Sequence, residues 1–419
     1  MPSAAVAKHP DFAETSLLPV DEARARILAA MPLLAPETVT ITAALGRVTA
    51  EDVPARLSHP PAPVSAMDGY ALRAEDARAL PARLRKLGVS RAGARYAGSL
   101  LPGSCVRIFT GAAVPDGAEA IALQEDVTED GDAVLVREVG RPGQYIRGAG
   151  LDFAAGDICV PRGRMLTARD IGLLAASGHT HVAVRRRPRV ALLSTGDELV
   201  DPGAQIGADQ IVASNGIALA AALQSWGADA IDLGIVPDDL AAIARAVDRA
   251  AEADLLVTTG GASVGDHDLV RHGAASRGMV TDFWRIAMRP GKPLMFGRVG
   301  KLPLLGMPGN PVSALVCALL FLRPAVAAMC GNPQQAPVFE AAVLAAPMAA
   351  NDRREDYVRA TVAIDGGRLV ARPFPTQDSG MLLTLARADG LIRRAAFAPA
   401  ARADEAVDVI RFGGATGLF

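Results

Sequence analysis

Residues 190–198 read Val190-Ala191-Leu192-Leu193-Ser194-Thr195-Gly196-Asp197-Glu198, an apolar run followed directly by small and acidic residues. Two later segments, 255–268 and 302–313, also place small polar residues directly after an apolar run. Continuous apolar strands are typical of a parallel sheet covered on both faces, since half-exposed strands alternate apolar and polar residues. Because helical spacing separates these strands, we expect an α/β domain with a doubly wound, mostly parallel sheet.

The polar sequences that follow these strands are the first candidates for a binding site. In an open α/β sheet the ligand lies at the carboxyl ends of the strands, where glycines let backbone N–H groups approach an anion. Each loop alone is explained equally well as a simple tight turn. Three such loops at one edge favour a site, and its candidate binding residues are Ser194, Thr195, Gly196, Asp197, Gly260, Gly261, Ser263, Pro308, Gly309, Asn310, Pro311 and Ser313.

A proline-stiffened loop, Arg289-Pro290-Gly291-Lys292-Pro293, offers cations to such an anion. Arg289 and Lys292 both suit oxyanions, and side chains on a rigid loop lose less entropy when they bind. A solvated surface loop is the alternative interpretation. We therefore take Arg289, Lys292 and Pro293 as candidate binding residues for a phosphorylated or oxyanionic ligand.

Carboxylates at the same edge indicate a cation between ligand and protein. Glu198, Asp238 and Asp268 would repel an anion unless a metal lay between them. Oxygen ligands without a His or Cys cluster suit Mg²⁺, so these three are the candidate metal ligands. Asp238 is also explained as a helix N-cap, as is Asp239, and the sequence leaves open which of the two is the functional carboxylate.

Short strands and turns on either side of this region indicate β-rich domains. The proline-rich connector 59–63 leads into such a pattern over 65–147. Near the C-terminus, 357–364 and 369–373 flank Asp365-Gly366-Gly367, which is a hairpin signal. A chain of 419 residues is expected to hold about 2.8 domains, so several domains are consistent with its length.

Composition excludes several classes of protein. Lys and Arg total 43 and Asp and Glu total 45, so the net charge of −2 argues against nucleic acid as a partner. The scattered cysteines Cys105, Cys159, Cys317 and Cys330 fit a reducing compartment. The apolar run 312–330 contains Arg323-Pro324, so we expect a buried helix that kinks or stops there and no membrane span. The first residues lack a signal-peptide pattern, and we expect a cytoplasmic protein.

Six segments in order resemble the molybdopterin molybdenumtransferase family, the MoeA and gephyrin E-domain type. They are SAMDGYA (65–71), VRIFTGA (106–112), STGDEL (194–199), TGGASVG (259–265), RPGKP (289–293) and PGNPVSA (308–314). The resemblance extends from about residue 16 to the end of the chain. In RPGKP, Arg289 replaces the lysine more usual in the family, which keeps the charge but changes the geometry of the donor.

The resemblance implies a chain of four parts and a homodimer. The parts are an elongated domain made from 16–56 and 148–185, a β-rich insertion domain over 57–147, a MogA-like α/β domain over 186–333 and a C-terminal β domain over 334–419. In the implied homodimer the active cleft lies between subunits. The β insertion of one chain there faces the α/β domain of the other.

The resemblance also implies the reaction, which is the last step of molybdenum cofactor biosynthesis. Molybdate is inserted into adenylylated molybdopterin, AMP is released, and Mg²⁺ is required. The adenylyltransferase and the enzymes that accept the cofactor are further candidate partners. Pyrophosphate and molybdate are both anions, which agrees with the cations and glycine loops above.

The family's functional positions fall on particular residues of this chain. The implied catalytic carboxylates are Asp68, Glu198, Asp238 and Asp268, and the additional implied binding residues are Thr110, Asp152, Arg359 and Ser379. Simpler interpretations exist for two of them: an Asx turn for Asp68 and an exposed strand arginine for Arg359.

Two other functions compete with molybdenum insertion. One is molybdopterin adenylyltransferase, which resembles only the α/β domain and does not account for 65–71 or for the C-terminal β domain. The other is a non-catalytic cofactor-binding scaffold, which the retained acidic and basic positions disfavour. The choice between molybdate and tungstate is open at this point.

Overall fold

The computed structural model describes residues 17–260, 269–333 and 335–413. Contacts divide the chain into two compact units, residues 37–184 and residues 1–36 together with 185–419. We call them the smaller and the larger unit. The domain boundaries expected from the sequence are finer than this division and stay a prediction.

The smaller unit is built mainly from short strands. In chain order these are β1 (Pro36–Thr40), β2 (Val53–Pro54), β3 (Val64–Ser65), β4 (Gly69–Leu72), β5 (Ala82–Ser90), β6 (Ser104–Ile108), β7 (Ala120–Leu123), β8 (Val127–Asp130), β9 (Ala133–Val136), β10 (Ile146–Arg147), β11 (Ile158–Val160) and β12 (His181–Arg185). Six of them form one sheet in the order β7-β4-β6-β5-β9-β8. Its α-helix is Ala168–Ala176, capped by Thr167 and Asp170. The predicted β-rich insertion is confirmed.

The larger unit contains the α/β sheet. Its strands in this region are β13 (Arg189–Thr195), β14 (Leu199–Val200), β15 (Ile211–Val212), β16 (Asp229–Val236), β17 (Leu255–Thr259), β18 (Met279–Phe283), β19 (Met288–Arg289), β20 (Met295–Val299) and β21 (Leu302–Met307). The sheet order is β16-β13-β17-β21-β20-β18, and the first four strands are parallel. β20, which is antiparallel to both of its neighbours, and β18 extend the mostly parallel sheet that the sequence predicts.

Helices cover both faces of this sheet. They are Val20–Ala30, Asn215–Ser225, Leu240–Arg249, Leu269–Ala275, Pro311–Cys317 and Arg323–Met329. Val20, Ala23 and Ile27 of the first helix are buried in the same core as Val190 and Val257 of the sheet. The buried residues of Leu240–Arg249 lie in a second core on the other face. Burial on both faces explains why these strands are continuously apolar.

The C-terminal part of the larger unit is a β domain. Its strands are β22 (Glu340–Leu344), β23 (Glu355–Asp365), β24 (Arg368–Pro373), β25 (Gly390–Arg394) and β26 (Ala406–Arg411), and its helix is Leu382–Ala386. The strand order is β19-β23-β24-β22-β26-β25, and a pairing between β23 and β25 closes five of these strands into a barrel. The predicted hairpin at Asp365-Gly366-Gly367 is confirmed, with Asp365 opposite Arg368.

The apolar stretch beginning at Pro311 forms a buried helix that continues past Pro324. Residues Ala318–Leu322 form a π-helical turn before Arg323–Met329. A π turn changes the local hydrogen-bond spacing, which accommodates a proline without ending the helix. Pro311–Met329 is long and apolar enough to cross a membrane, but 83% of its most apolar window is buried inside the protein. It has the burial of a core helix.

Candidate active site

The carboxyl ends of four parallel strands meet at one edge of the α/β sheet. The register pairs Ser194 with Thr259 and Thr259 with Met307. It also pairs Thr195 with Val236. The loops that follow these strands therefore lie side by side, as the sequence predicts.

A cavity of about 720 Å³ lies at this edge, and we call it the edge cavity. Most of the predicted loop residues line it: Ser194, Thr195, Glu198, Gly260, Pro293, Pro308, Gly309, Asn310, Pro311 and Ser313. Three other predicted residues, Gly261, Ser263 and Asp268, lie outside the described residues.

Two glycines allow the loops to approach each other. A Cβ atom on Gly260, whose φ is +89°, would lie 2.2 Å from the carbonyl oxygen of Thr195. A Cβ atom on Gly196 would lie 2.4 Å from Oε2 of Glu198. A side chain on Gly260 would push its loop away from Thr195 at the end of β13. A side chain on Gly196 would displace the Glu198 carboxylate. The glycines predicted as binding residues therefore also shape the edge cavity.

Thr195 presents a buried hydroxyl to the edge cavity. The residue is 2% exposed, and its Oγ1 has no hydrogen-bond partner in the part of the chain that the structure describes. A buried hydroxyl without a partner costs about 1–3 kcal/mol. A hydrogen bond from this hydroxyl to a polar ligand atom would offset that cost.

One acidic residue at this edge of the sheet caps a helix, and the others are candidates for the binding site. Asp239 Oδ1 accepts a hydrogen bond from Ala242 N–H at 2.7 Å, so Asp239 is the N-cap of the helix that begins at Leu240. Asp197 Oδ1 accepts one from the backbone N–H of Asp238 at 3.0 Å, which joins the first loop to the end of β16. The helix cap is therefore Asp239, and Asp238 is the better candidate for the functional carboxylate.

The oxygen chemistry of this edge fits Mg²⁺. Glu198 lines the edge cavity, and Asp238 follows the strand next to β13. Within residues 17–260, 269–333 and 335–413 no three His, Cys, Asp or Glu side chains cluster closely enough to hold a metal by themselves. Mg²⁺ commonly takes one or two carboxylates and completes its shell with water and substrate oxygens, which is compatible with the Glu198 carboxylate in the wall of the edge cavity.

The helix that begins at Pro311 links the sheet edge to the C-terminal β domain. Asn310 Nδ2 donates a hydrogen bond to Ser379 Oγ at 2.8 Å, and Val312 N–H donates to the Ser379 carbonyl at 3.2 Å. On the other side, Asn215 Nδ2 donates to the Gly309 carbonyl at 2.7 Å. Ser379, predicted from a distant part of the chain, thus lies at the N-terminus of a cavity-lining helix, where an anion is favoured.

Arg359 is buried, in contrast to the exposed strand arginine considered above. It is 1% exposed, and Gln377 Oε1 accepts hydrogen bonds from its Nε at 3.1 Å and from its backbone N–H at 3.0 Å. Burial lowers the pKa of the guanidinium, and nearby Asp378 opposes that shift. Its hydrogen-bond partners are neutral, so among the described residues no carboxylate is bonded directly to the guanidinium.

The two cations of the RPGKP loop are in different environments. Arg289 Nε donates to Asp356 Oδ1 at 2.6 Å, and the same guanidinium contacts Asp352 and Asn351. The hydrogen bonds to Asp356 raise the pKa of Arg289. Lys292 is half-buried, and its ammonium has no ion pair among the described residues. Arg289 therefore holds the loop against β23, and Lys292 is the better candidate for contact with an anion.

Asp68 lies in the smaller unit, in a turn before β4. Its Oδ1 accepts hydrogen bonds from the backbone N–H of Thr110 at 2.7 Å and from Thr110 Oγ1 at 2.8 Å. These bonds lower the pKa of Asp68, and the charge of Arg107 adds to the effect. The structure brings Asp68 and Thr110 into contact, and this contact favours the ionised carboxylate. Asp152 is exposed in the same unit and lines a second cavity.

Family models match three consecutive parts of the chain. They are the MoeA N-terminal region (domain I and II) over 18–178, a probable molybdopterin binding domain over 191–328 and the MoeA C-terminal region (domain IV) over 341–412. A curated relative, molybdopterin molybdenumtransferase 2 from Mycobacterium tuberculosis, is 39% identical over 367 residues, covering 85% of this chain and 90% of its own. The chain belongs to the molybdopterin molybdenumtransferase (MoeA) family.

Other members of the MoeA family agree with this assignment. The molybdopterin molybdenumtransferase of Haemophilus influenzae is 37% identical over 327 residues, covering 76% of this chain and 79% of its own. The crystal structure of a molybdopterin biosynthesis moeA protein from Pyrococcus horikoshii superimposes with a TM-score of 0.81 at 28% identity. It covers 95% of this chain and 100% of that one, so the whole MoeA architecture is shared.

Sequence reasoning missed several residues that shape this MoeA site. Gln377 holds Arg359, Asn215 fixes the third loop, and Gly380 and Leu382 line the edge cavity from the C-terminal domain. Local pattern could not find them, because their neighbours come from segments far apart in the chain. The one available signal is that Gln377, Gly380 and Leu382 lie within three residues of Ser379, a family position.

Proposed function

We propose that this protein inserts molybdate into adenylylated molybdopterin and releases AMP in a Mg²⁺-dependent reaction. The edge cavity is the observation that carries the proposal. In it the polar loops of the α/β sheet meet residues of the C-terminal β domain, which supports a site that holds molybdopterin and an oxyanion together. As a member of the MoeA family the chain is a transferase of molybdenum cofactor biosynthesis. The release of AMP and the requirement for Mg²⁺ are the parts that this proposal adds.

Different residues at this edge of the sheet would bind different parts of the substrates. Backbone N–H groups of the glycine loops, the hydroxyl of Thr195 and the ammonium of Lys292 bind oxyanions. Arg359 and Ser379 orient molybdate beside the helix N-terminus. Glu198 and Asp238, with Asp268, would hold Mg²⁺, which supplies charge stabilisation at phosphoryl oxygens. Asp68 supplies a fixed negative charge from the smaller unit.

The proposal extends to assembly and location. We propose a homodimer in the cytoplasm whose active clefts each combine Asp68 of one chain with Glu198 of the other. Molybdopterin adenylyltransferase would supply the substrate, and enzymes that use the cofactor would receive the product.

An assay of AMP release tests the reaction directly. The full-length protein is mixed with adenylylated molybdopterin, Mg²⁺ and molybdate, and AMP is measured against parallel reactions without molybdate or with EDTA. We expect AMP to form only when both ions are present. Adenylylation of molybdopterin from ATP would support the adenylyltransferase instead. Binding of substrate without turnover would support the scaffold. Replacing molybdate with tungstate in the same assay establishes the preferred oxyanion.

Lys292→Ala is expected to weaken molybdate binding. A charge-assisted hydrogen bond contributes roughly 1.5–3 kcal/mol, so the loss corresponds to about a ten- to hundredfold weaker affinity in calorimetry. Pro290 and Pro293 keep the loop rigid, and the fold is expected to survive. Lys301→Ala removes an exposed lysine from the same unit and is the matched control. Equal affinities for the two variants would remove Lys292 from the site.

A further inference from the structure

The smaller unit contains a second cavity, of about 780 Å³, whose lining includes Asp152 and otherwise consists of residues without a role in the proposed reaction. Three arginines line it, Arg91, Arg95 and Arg147, together with a single acidic residue, Asp152. We call it the arginine cleft. In the described part of the chain none of the three guanidinium groups has an ion pair or a side-chain hydrogen bond. Three unpaired cations that face one cavity repel each other, and an anion bound between them would relieve that repulsion.

Backbone contacts hold the arginines in place. Arg147 lies opposite Val64 in the β3–β10 ladder, and Val64 also bridges to Ala113. Ser90 Oγ donates a hydrogen bond to the Ala113 carbonyl at 2.7 Å, which fixes the end of β5. The next residue, Arg91, begins a tight turn closed by two backbone hydrogen bonds of 3.0 Å to Ala94. The backbones of Arg91 and Arg147 are therefore held in place beside the cleft, and Arg95 follows directly on the turn that begins at Arg91.

The cleft is also lined by His59, Pro60, Pro61 and Leu151, which we call the proline wall, and Leu151 is 66% exposed. The His59 ring is stacked on Phe153, with 5.7 Å between ring centroids, and the Asp152 N–H donates to the His59 carbonyl at 3.0 Å. Proline rings and a fixed imidazole offer a surface on which a planar ring can pack. The lining of the cleft thus combines three cations with apolar and imidazole rings that suit a heterocycle.

The cleft adjoins the predicted catalytic carboxylate. Gly111 lines it, and the preceding residue, Thr110, donates both of its hydrogen bonds to Asp68. A ligand in the cleft would therefore lie next to the Asp68 turn. A ligand at this position would be a part of the substrate that does not itself react but holds the reacting group in place.

We infer that the arginine cleft binds a phosphate ester of a planar heterocycle, with the phosphate on Arg91, Arg95 and Arg147 and the ring on the proline wall. The inference rests on the proposed function, because adenylylated molybdopterin carries phosphates next to both an adenine and a pterin. Either half of the substrate has the required chemistry. Arginine suits the phosphate because its guanidinium donates two parallel hydrogen bonds.

Binding of two probes to the full-length protein tests the inference. AMP and neopterin monophosphate are titrated separately by calorimetry into the wild type, into Arg91→Ala/Arg95→Ala and into Arg137→Ala/Arg141→Ala. The last pair is the matched control, since it removes two exposed arginines from the same unit outside the cleft. We expect the first pair, and not the control, to weaken binding of one probe by about tenfold or more. The probe that is affected identifies the half of the substrate that the cleft binds.

Other outcomes overturn the inference. Unchanged affinity for both probes in Arg91→Ala/Arg95→Ala would do so, as would an equal loss in the control pair, which would reflect net charge alone. Thermal unfolding of each variant excludes loss of the fold. Neither titration contains molybdate or depends on turnover. A wild type that binds a probe in the cleft but releases no AMP with molybdate would therefore reject the proposed function and keep the phosphate site.

Discussion

Asp68→Asn is expected to lower molybdate-dependent AMP release by about 10²-fold or more while the protein stays folded. The amide oxygen of asparagine can still accept the two hydrogen bonds from Thr110, so the turn is kept and only the charge is lost. Asp132→Asn, the same change at an exposed position of the same unit, is the control and should retain full activity. A turnover rate close to wild type in Asp68→Asn would show that this residue serves only as an Asx turn.

The pH dependence of the reaction follows from the same contacts. Hydrogen bonds from Thr110 lower the pKa of Asp68. The ionised form is therefore present above this lowered pKa, and its contribution to stability is lost only as the pH falls through it. We expect Asp68 to cause no loss of activity between pH 5 and 8, about one unit or more above the ordinary aspartate pKa. In Thr110→Val, which removes the hydroxyl donor, the acidic limb of the rate profile should move to higher pH.

The fold could be predicted from the sequence where the apolar pattern of a strand matches its burial. Leu192 and Val257 lie in strands covered on both faces, and those strands read as continuous apolar runs. The strands β18 and β20 are not predicted from the sequence, because β18 has only one buried residue, Phe283, and β20 is interrupted by Gly297 and the exposed Arg298. The π turn at Ala318–Leu322 was also missed, because the sequence shows the proline but not how the preceding residues adjust.

The candidate site could be predicted only in part, for a related reason. Loop position follows from strand order, so the glycines of the edge were found. Side-chain partners depend on residues distant in the chain. The sequence therefore does not show that Asp356 binds Arg289 or that Gln377 accepts a hydrogen bond from Arg359. The choice between Asp238 and Asp239 was open for the same reason, since both are good N-caps until the backbone places one of them at the helix start.

Glu198→Gln is expected to reduce AMP release by about 10²-fold or more, because it removes a candidate Mg²⁺ ligand with little change in shape. Glu198 and Asp68 belong to different units of the chain. If each cleft combines Glu198 of one chain with Asp68 of the other, two inactive variants can complement each other. A heterodimer of Asp68→Asn and Glu198→Gln chains would contain one cleft with both native residues and one cleft with neither.

The amount of activity that complementation should restore can be calculated. Random exchange of equal amounts makes half of the dimers heterodimers, and one of the two clefts in each is intact, so roughly a quarter of wild-type activity should return. Mixing each variant with itself is the control and should restore nothing. Mass spectrometry confirms that the chains have exchanged. Heterodimers that are present but inactive would mean that each cleft takes both carboxylates from a single chain, because then every cleft in the mixture would lack one of them.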